Sequence, residues 1–345
     1  MHGALTTTVT GSYPQPGWLV DRDLLVRKGV PRVRADDVWL VDPEMRAEAV
    51  EAATLVAIAD QEAAGVDVIT DGEIGRESYF NHFATALGGV DQERVGSATN
   101  RVGTQSDVPL VVGPIERREP IELEAARFLR AHTDRATKVT VPGPFTLSQL
   151  AQNEYYPDQR ALALAYAAAV RDELRDLAAA GIDVLQIDEP YLQAGAAMAR
   201  QFAVEAMTAA VEGVDAYTVV HTCYGYAAYV DDKSGGYPFL AELAAVPVDA
   251  IAIEAAQPRL DAAVTAELAP RSVVLGVVDL GTDEVETAAT IADRIRAALA
   301  HVPPERLAVA PDCGMKFLDR STARAKLTAM VEGAAIVRAE LGLGT

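Results

Sequence analysis

The sequence predicts an α/β fold, a (β/α)8 TIM barrel, on three observations. Short β-rich runs alternate with alanine-rich helical stretches along the whole chain. Eight such runs are present, and each closes in a cluster of Gly, Pro, Asp or Glu. No G-x-G-x-x-G follows the first run, and no G-x-x-x-x-G-K-[ST] occurs anywhere. Alternation of this kind means parallel strands joined by right-handed crossovers. Eight repeats fit a closed barrel better than an open doubly wound sheet.

Taken in order, the strand runs are 6–11 (TTTVTG), 66–73 (VDVITDGE), 138–144 (KVTVPGP), 183–190 (DVLQIDEP), 216–223 (AYTVVHTC), 249–255 (DAIAIEA), 272–279 (SVVLGVVD) and 307–314 (LAVAPDCG). The helical stretches include 43–64, 157–180, 196–212, 284–300 and 321–341. Two segments break the rhythm. Residues 12–42 hold three prolines and two tryptophans and form a long loop after strand one. Residues 88–119 are polar and glycine-punctuated, and predict a β-hairpin insertion between strands two and three. The 345 residues are expected to make one barrel domain with these decorations.

Thirty basic against 50 acidic residues leave a net charge of −20. Such a field repels phosphate backbones and anionic membrane surfaces, so neither nucleic acid nor membrane is an expected partner. Half the residues are apolar, which supplies a core, yet no run of them is long enough to span a bilayer. The first residues lack the pattern of a secretory signal, so a cytoplasmic location is expected. Two cysteines are too few for a disulfide scaffold.

Barrel active sites lie at the carboxyl ends of the strands. Here those ends carry Gly11 and Ser12, Glu73, Asp188, His221 with Cys223, Glu254, Asp279 and Cys313, while the strand interiors are Val, Ile and Leu. Residues two apart on a strand share a face, so Val219, His221 and Cys223 point one way. Glu254 ends the next strand and Cys313 the last. One imidazole, two thiolates and a carboxylate make a zinc set. The competing reading makes both cysteines small buried core residues and His221 a hydrogen-bonded core histidine. With zinc, such a site activates either a bound thiol for S-alkylation or a water for hydrolysis, and the spacing leaves both open.

Seven segments resemble the catalytic domain of cobalamin-independent methionine synthase in its short, single-barrel form: 7–16 (TTVTGSYPQP), 71–83 (DGEIGRESYFNHF), 141–147 (VPGPFTL), 185–190 (LQIDEP), 221–224 (HTCY), 251–254 (IAIE) and 310–316 (APDCGMK). Their joint order is specific to that superfamily. The resemblance implies Zn²⁺ on His221, Cys223, Glu254 and Cys313. It implies a homocysteine pocket with Gly11 and Ser12 at the carboxylate end, and Glu73 and Asp188, also the catalytic carboxylates, at the ammonium end. A structural role for those carboxylates, as partners of Arg76 for example, is the alternative. The implied activity is methyl transfer to a thiol in methionine biosynthesis, with methyl folate, or methylcobalamin on a partner protein, as donor.

The chain departs from the family in two motifs. Gly281 stands where long members place a histidine, a candidate proton donor to the folate. Ser78-Tyr79 replaces an Asp-Met pair, so Tyr79 is expected to wall the substrate pocket. Three further readings are weighed against the methyltransferase. An alkyltransferase acting on coenzyme M needs basic residues for a sulfonate in place of Glu73 and Asp188. A tetrapyrrole decarboxylase needs arginines and no zinc. A zinc-bound scaffold has no use for the substrate residues.

Overall fold

The computed structural model describes residues 3–29, 32–78, 80–100, 103–230, 233 and 235–343. Its strands are β1 (Val68–Ile69), β2 (Gly88–Val90), β3 (Gly96–Thr99), β4 (Gln105–Val108), β5 (Leu110–Glu116), β6 (Ala136–Pro142), β7 (Gln152–Asn153), β8 (Val184–Asp188), β9 (Tyr217–Thr222), β10 (Ala250–Ile253), β11 (Ser272–Val278) and β12 (Leu307–Pro311). Its helices are α1 (Arg22–Lys28), α2 (Arg46–Ala63), α3 (Asn81–Ala86), α4 (Leu123–Ala131), α5 (Pro144–Gln149), α6 (Gln159–Ala179), α7 (Tyr191–Ala194), α8 (Ala196–Val211), α9 (Leu240–Leu243), α10 (Ala288–Leu299) and α11 (Arg320–Glu340).

Seven strands form one parallel sheet in the order β1-β6-β8-β9-β10-β11-β12. Residues 7 and 8 close the ring. Thr8 N donates to Val309 O at 2.9 Å on one side, and Val68 N donates to Thr7 O at 3.0 Å on the other. The predicted first strand is thus short but in place between β12 and β1.

Alternation along each strand sorts the side chains into two cores. Val68, Val184, Val219, Ala250, Ala252, Val274, Ala308 and Ala310 fill the barrel interior. Their neighbours Leu185, Val220, Ile251, Val273 and Leu307 belong to the larger core under the helices. Strands buried on both faces read as continuous apolar runs, which is why these segments were legible. His221 has the parity of Val219, and Asp188 that of Val184, so both point inward at the top of the barrel.

The helices begin where their caps stand. Asp158 accepts from Ala161 N at 2.8 Å to start α6, and Thr287 accepts from Thr290 N at 3.1 Å to start α10. Each cap is worth about 1 kcal/mol. The helix expected from residue 284 therefore starts four residues later. Its intended first turn is held as loop, because buried Lys326 donates to Asp279 O at 2.8 Å and pairs with Glu286 Oε2 at 2.9 Å. The long segment after strand one contains α1, started by Asp21 accepting from Leu24 N at 2.8 Å. Within residues 88–119, β3 and β4 pair as an antiparallel hairpin, while β2 and β5 form a second small sheet that β7 joins from outside the segment.

Candidate active site

The carboxyl ends of the strands surround a pocket of about 350 Å³ lined by Gly11, Ser12, Glu73, Asp188, His221, Cys223, Tyr226 and Cys313, among others. Tyr79 lies outside the described residues, so its expected place in the wall is not described.

Three of the four predicted ligands converge. One ligand atom each from Cys223, Glu254 and Cys313 lies within 4.8 Å of the others, and all three residues are buried. The two sulfurs are 3.9 Å apart. Two thiolates at ~2.3 Å from one tetrahedral zinc would be separated by about 3.8 Å, so the sulfur pair fits that ion. His221 stands beside this trio. Its Nδ1 is 2.9 Å from Asp188 Oδ1. Its Nε2 is buried and makes no hydrogen bond of normal geometry among the described residues, although the ring lies close enough to Cys223 to feel it. A ring nitrogen held by a carboxylate, with the other left over, is the usual state of a zinc-binding histidine. The donor set and the orphaned nitrogen together fit zinc.

Charge at the cluster is tightly coupled. Hydrogen bonding to Cys223 and burial push the Cys313 thiol well above the ordinary range. Burial, then Cys223, does the same to Glu254. Burial alone would depress His221, but Cys223 and Asp188 outweigh it and push its pKa up to about 10. A cation placed here would therefore displace protons.

The chain fixes the ligands through their backbones. Asp312 accepts from Ala255 N at 3.1 Å, Ala256 N at 3.0 Å and Gln257 N at 2.6 Å, tying the turn after Glu254 to the residue before Cys313. Burial pushes Asp312 up to about 6. Gly276 is required beneath it, because an added Cβ would lie well inside 3.0 Å of the Asp312 carboxylate. Tyr237 Oη accepts from Glu254 N at 2.8 Å. Both Glu254 oxygens are engaged, Oε1 by Tyr224 N at 3.1 Å and Oε2 by the Lys233 ammonium at 2.6 Å. Burial opposes the charge on Lys233, but Glu254, Cys313 and Cys223 outweigh it and hold the ammonium above its usual range.

The other half of the pocket is anionic. Glu73 has a left-handed backbone with φ of 53°, an unfavourable conformation for a side chain of its size. Its Oε1 accepts from Thr140 Oγ1 at 2.8 Å, while Oε2 is buried with no hydrogen-bond partner among the described residues. Burial, with help from Asp188, raises its pKa against the pull of Arg76. Arg76 itself pairs with Glu122 at 3.1 Å. Asp188 is set by a chain of side chains inside the barrel. Lys138 Nζ donates to Gln186 Oε1 at 2.9 Å, and Gln186 Nε2 donates to Asp188 Oδ1 at 2.7 Å and Thr10 O at 2.8 Å. Ser12 Oγ lies 3.3 Å from Tyr226 Oη at the opposite wall.

Sequence reasoning missed Lys233, Tyr226, Thr140, Gln186 and Lys138. Gln186 and Lys138 had a signal, since each sits on the inward parity of a predicted strand. Lys233 and Tyr226 lie in the irregular segment after β9, where no period exists. Gly281 borders a second, solvent-open cleft of about 600 Å³, which meets the first pocket at Tyr226 and Gly314.

Residues 5–336 match the family described as the catalytic domain of cobalamin-independent synthase. The chain is 35% identical to the methionine synthase of Saccharolobus solfataricus, covering 98% of this chain and 96% of that one. It is 33% identical to the methionine synthase of Thermococcus kodakarensis, over 98% and 94%. The solved structure of a B12-independent methionine synthase from Shewanella sp. W3-18-1, in complex with selenomethionine, superposes with a TM-score of 0.89 at 30% identity, covering 98% and 99%. With a match over nearly its whole length, the chain belongs to the cobalamin-independent methionine synthase family, as a catalytic-domain barrel.

Proposed function

We propose that this chain moves a methyl group onto the sulfur of homocysteine, giving methionine, with zinc held by His221, Cys223, Glu254 and Cys313. One observation carries the reading: Cys223 and Cys313, clustered with Glu254, line the same pocket as Glu73, one of whose carboxylate oxygens has no hydrogen-bond partner among the described residues. When bound, zinc would hold the substrate sulfur as a thiolate at neutral pH.

The chain's own residues do the rest. Glu73 and Asp188 take the substrate ammonium, which supplies the hydrogen bond that Glu73 Oε2 lacks among the described residues. Ser12 Oγ and the Gly11–Ser12 backbone take the carboxylate. Asp188 also holds Nδ1 of His221, so one carboxylate orients substrate and ligand together. The sulfur forms its bond to the methyl carbon as the donor–methyl bond breaks, and that electron pair leaves with the donor. Positioning supplies much of the acceleration.

Glu73 and Asp188 would repel a sulfonate, which disfavours coenzyme M as the thiol. The donor is methyl folate, or methylcobalamin on a partner protein, arriving through the cleft beside Gly281. Reduced thiols are required, which suits a cytoplasmic setting. None of the described helices is long and apolar enough to cross a membrane. The barrel and its insertion act as one working unit.

The test is a donor screen. Zinc-loaded protein with homocysteine and each methyl source should form methionine with one of them. No methionine from any donor, with zinc and homocysteine both bound, overturns the reading.

A further inference from the structure

We propose that Lys233 is the internal counter-ion of the Cys223, Glu254 and Cys313 cluster, and that it competes with a divalent cation for Glu254. This rests on the metal reading above and concerns how tightly the site holds its ion.

The geometry is specific. Lys233 comes from the irregular segment between β9 and α9, yet its side chain is 1% exposed and that of Glu254 is fully buried. Its Nζ lies 2.6 Å from Glu254 Oε2 and donates to Gly225 O at 2.9 Å. Gly225 has a φ of 109°, a conformation open to glycine, so the turn that offers this carbonyl is built for the residue. Glu254 Oε1 is taken by Tyr224 N. Each oxygen of the carboxylate thus has a donor without any ion.

A buried ion pair beside two thiols has a clear consequence. Two thiolates and a carboxylate around a dication sum to about −1, and the ammonium brings the set to about neutral. The ammonium also repels the dication and draws charge from the carboxylate that would ligate it. If the side chain instead swings out on metal binding, its buried pair with Glu254 is broken. Where the ion must take Glu254 Oε2 from the ammonium, it is held less tightly than the ligands alone would hold it.

A purely structural lysine, pinning the loop through Gly225, predicts something different. Its removal would loosen the loop and weaken metal binding. The two cases separate in a metal-affinity measurement that needs no turnover. Reduced apoprotein is titrated with zinc against a chromophoric chelator, for the wild type, Lys233→Met, Lys233→Gln and Lys233→Arg. Removing the charge should tighten zinc binding by at least about tenfold in both neutral variants, while Lys233→Arg stays within about threefold of wild type. The apoproteins of the neutral variants should melt lower, because Glu254 is left buried and unpaired, and zinc should raise their melting temperature by more than it raises the wild type's. Equal or weaker zinc binding in the neutral variants overturns the proposal and leaves the metal reading standing. A wild type that takes up no zinc overturns both.

Discussion

The sulfurs of Cys223 and Cys313 lie 3.9 Å apart, although 90 residues of chain separate them. Nothing local brings them together; the curvature of the sheet does. Reduced protein should carry about one zinc per chain. Cys313→Ser should lose most of it while keeping the far-ultraviolet circular dichroism of the wild type. Elemental analysis after gel filtration checks both, and full zinc retention in the serine variant would remove Cys313 from the ligand set.

Glu73→Gln keeps the shape of the pocket and removes its charge. The loss of a buried ionic hydrogen bond to the substrate ammonium is worth roughly 2–3 kcal/mol, or about a hundredfold in KM for homocysteine. A thiol acid of the same length without the amine should show almost no difference between the two proteins. Steady-state kinetics with both thiols decides it.

Gly11 touches the same carboxylate from behind. A Cβ there would sit well inside 3.0 Å of Glu73 Oε1, and 3.1 Å from Thr140 Cγ2. Gly11→Ala should therefore reproduce the KM defect of Glu73→Gln by displacing the group. The double variant should be little worse than either single one, because both act on one interaction. Additive losses would mean that Gly11 acts independently of Glu73.

Burial pushes Lys138 down to about 7, against the opposing pull of Asp188 and Glu73. The unfolded chain, with lysine near 10.5, binds more protons between those two values. The penalty from this lysine is therefore fully present below about pH 7 and fades as the pH rises toward 10.5. Between pH 7 and 9 the wild type should gain about 2 kcal/mol relative to Lys138→Met. Urea unfolding of both proteins at the two pH values measures this, and parallel pH profiles would refute it.

The barrel was legible because its strands are buried on both sides. An uninterrupted run such as Val184–Asp188 or Ser272–Val278 leaves little choice of structure. The candidate ligands were legible for a related reason: a histidine, two cysteines and acids collect at strand ends whose interiors are apolar, although both cysteines also pack in the large core. The misses share a different cause. A lysine is ordinarily a surface residue, so Lys233 and Lys326, which lie outside the strand alternation, gave no signal of their burial. The same blindness displaced the start of α10, because the loop before it is shaped by Lys326 from α11. The helix α1 hid in a proline-rich stretch, where a seven-residue turn of chain has little periodicity to show.

The two-residue seam at Thr7 and Thr8 orders events during biosynthesis. Its partner Val309 leaves the ribosome about three hundred residues later, so the amino-terminal segment must wait for almost the entire chain. Gly11 and Ser12 meet Cys313 and Gly314 only when that seam zips. If Cys313 ligates an ion as proposed, the ion site can form only after the last strand has been made, and a polypeptide cut before that strand would lack it from the start.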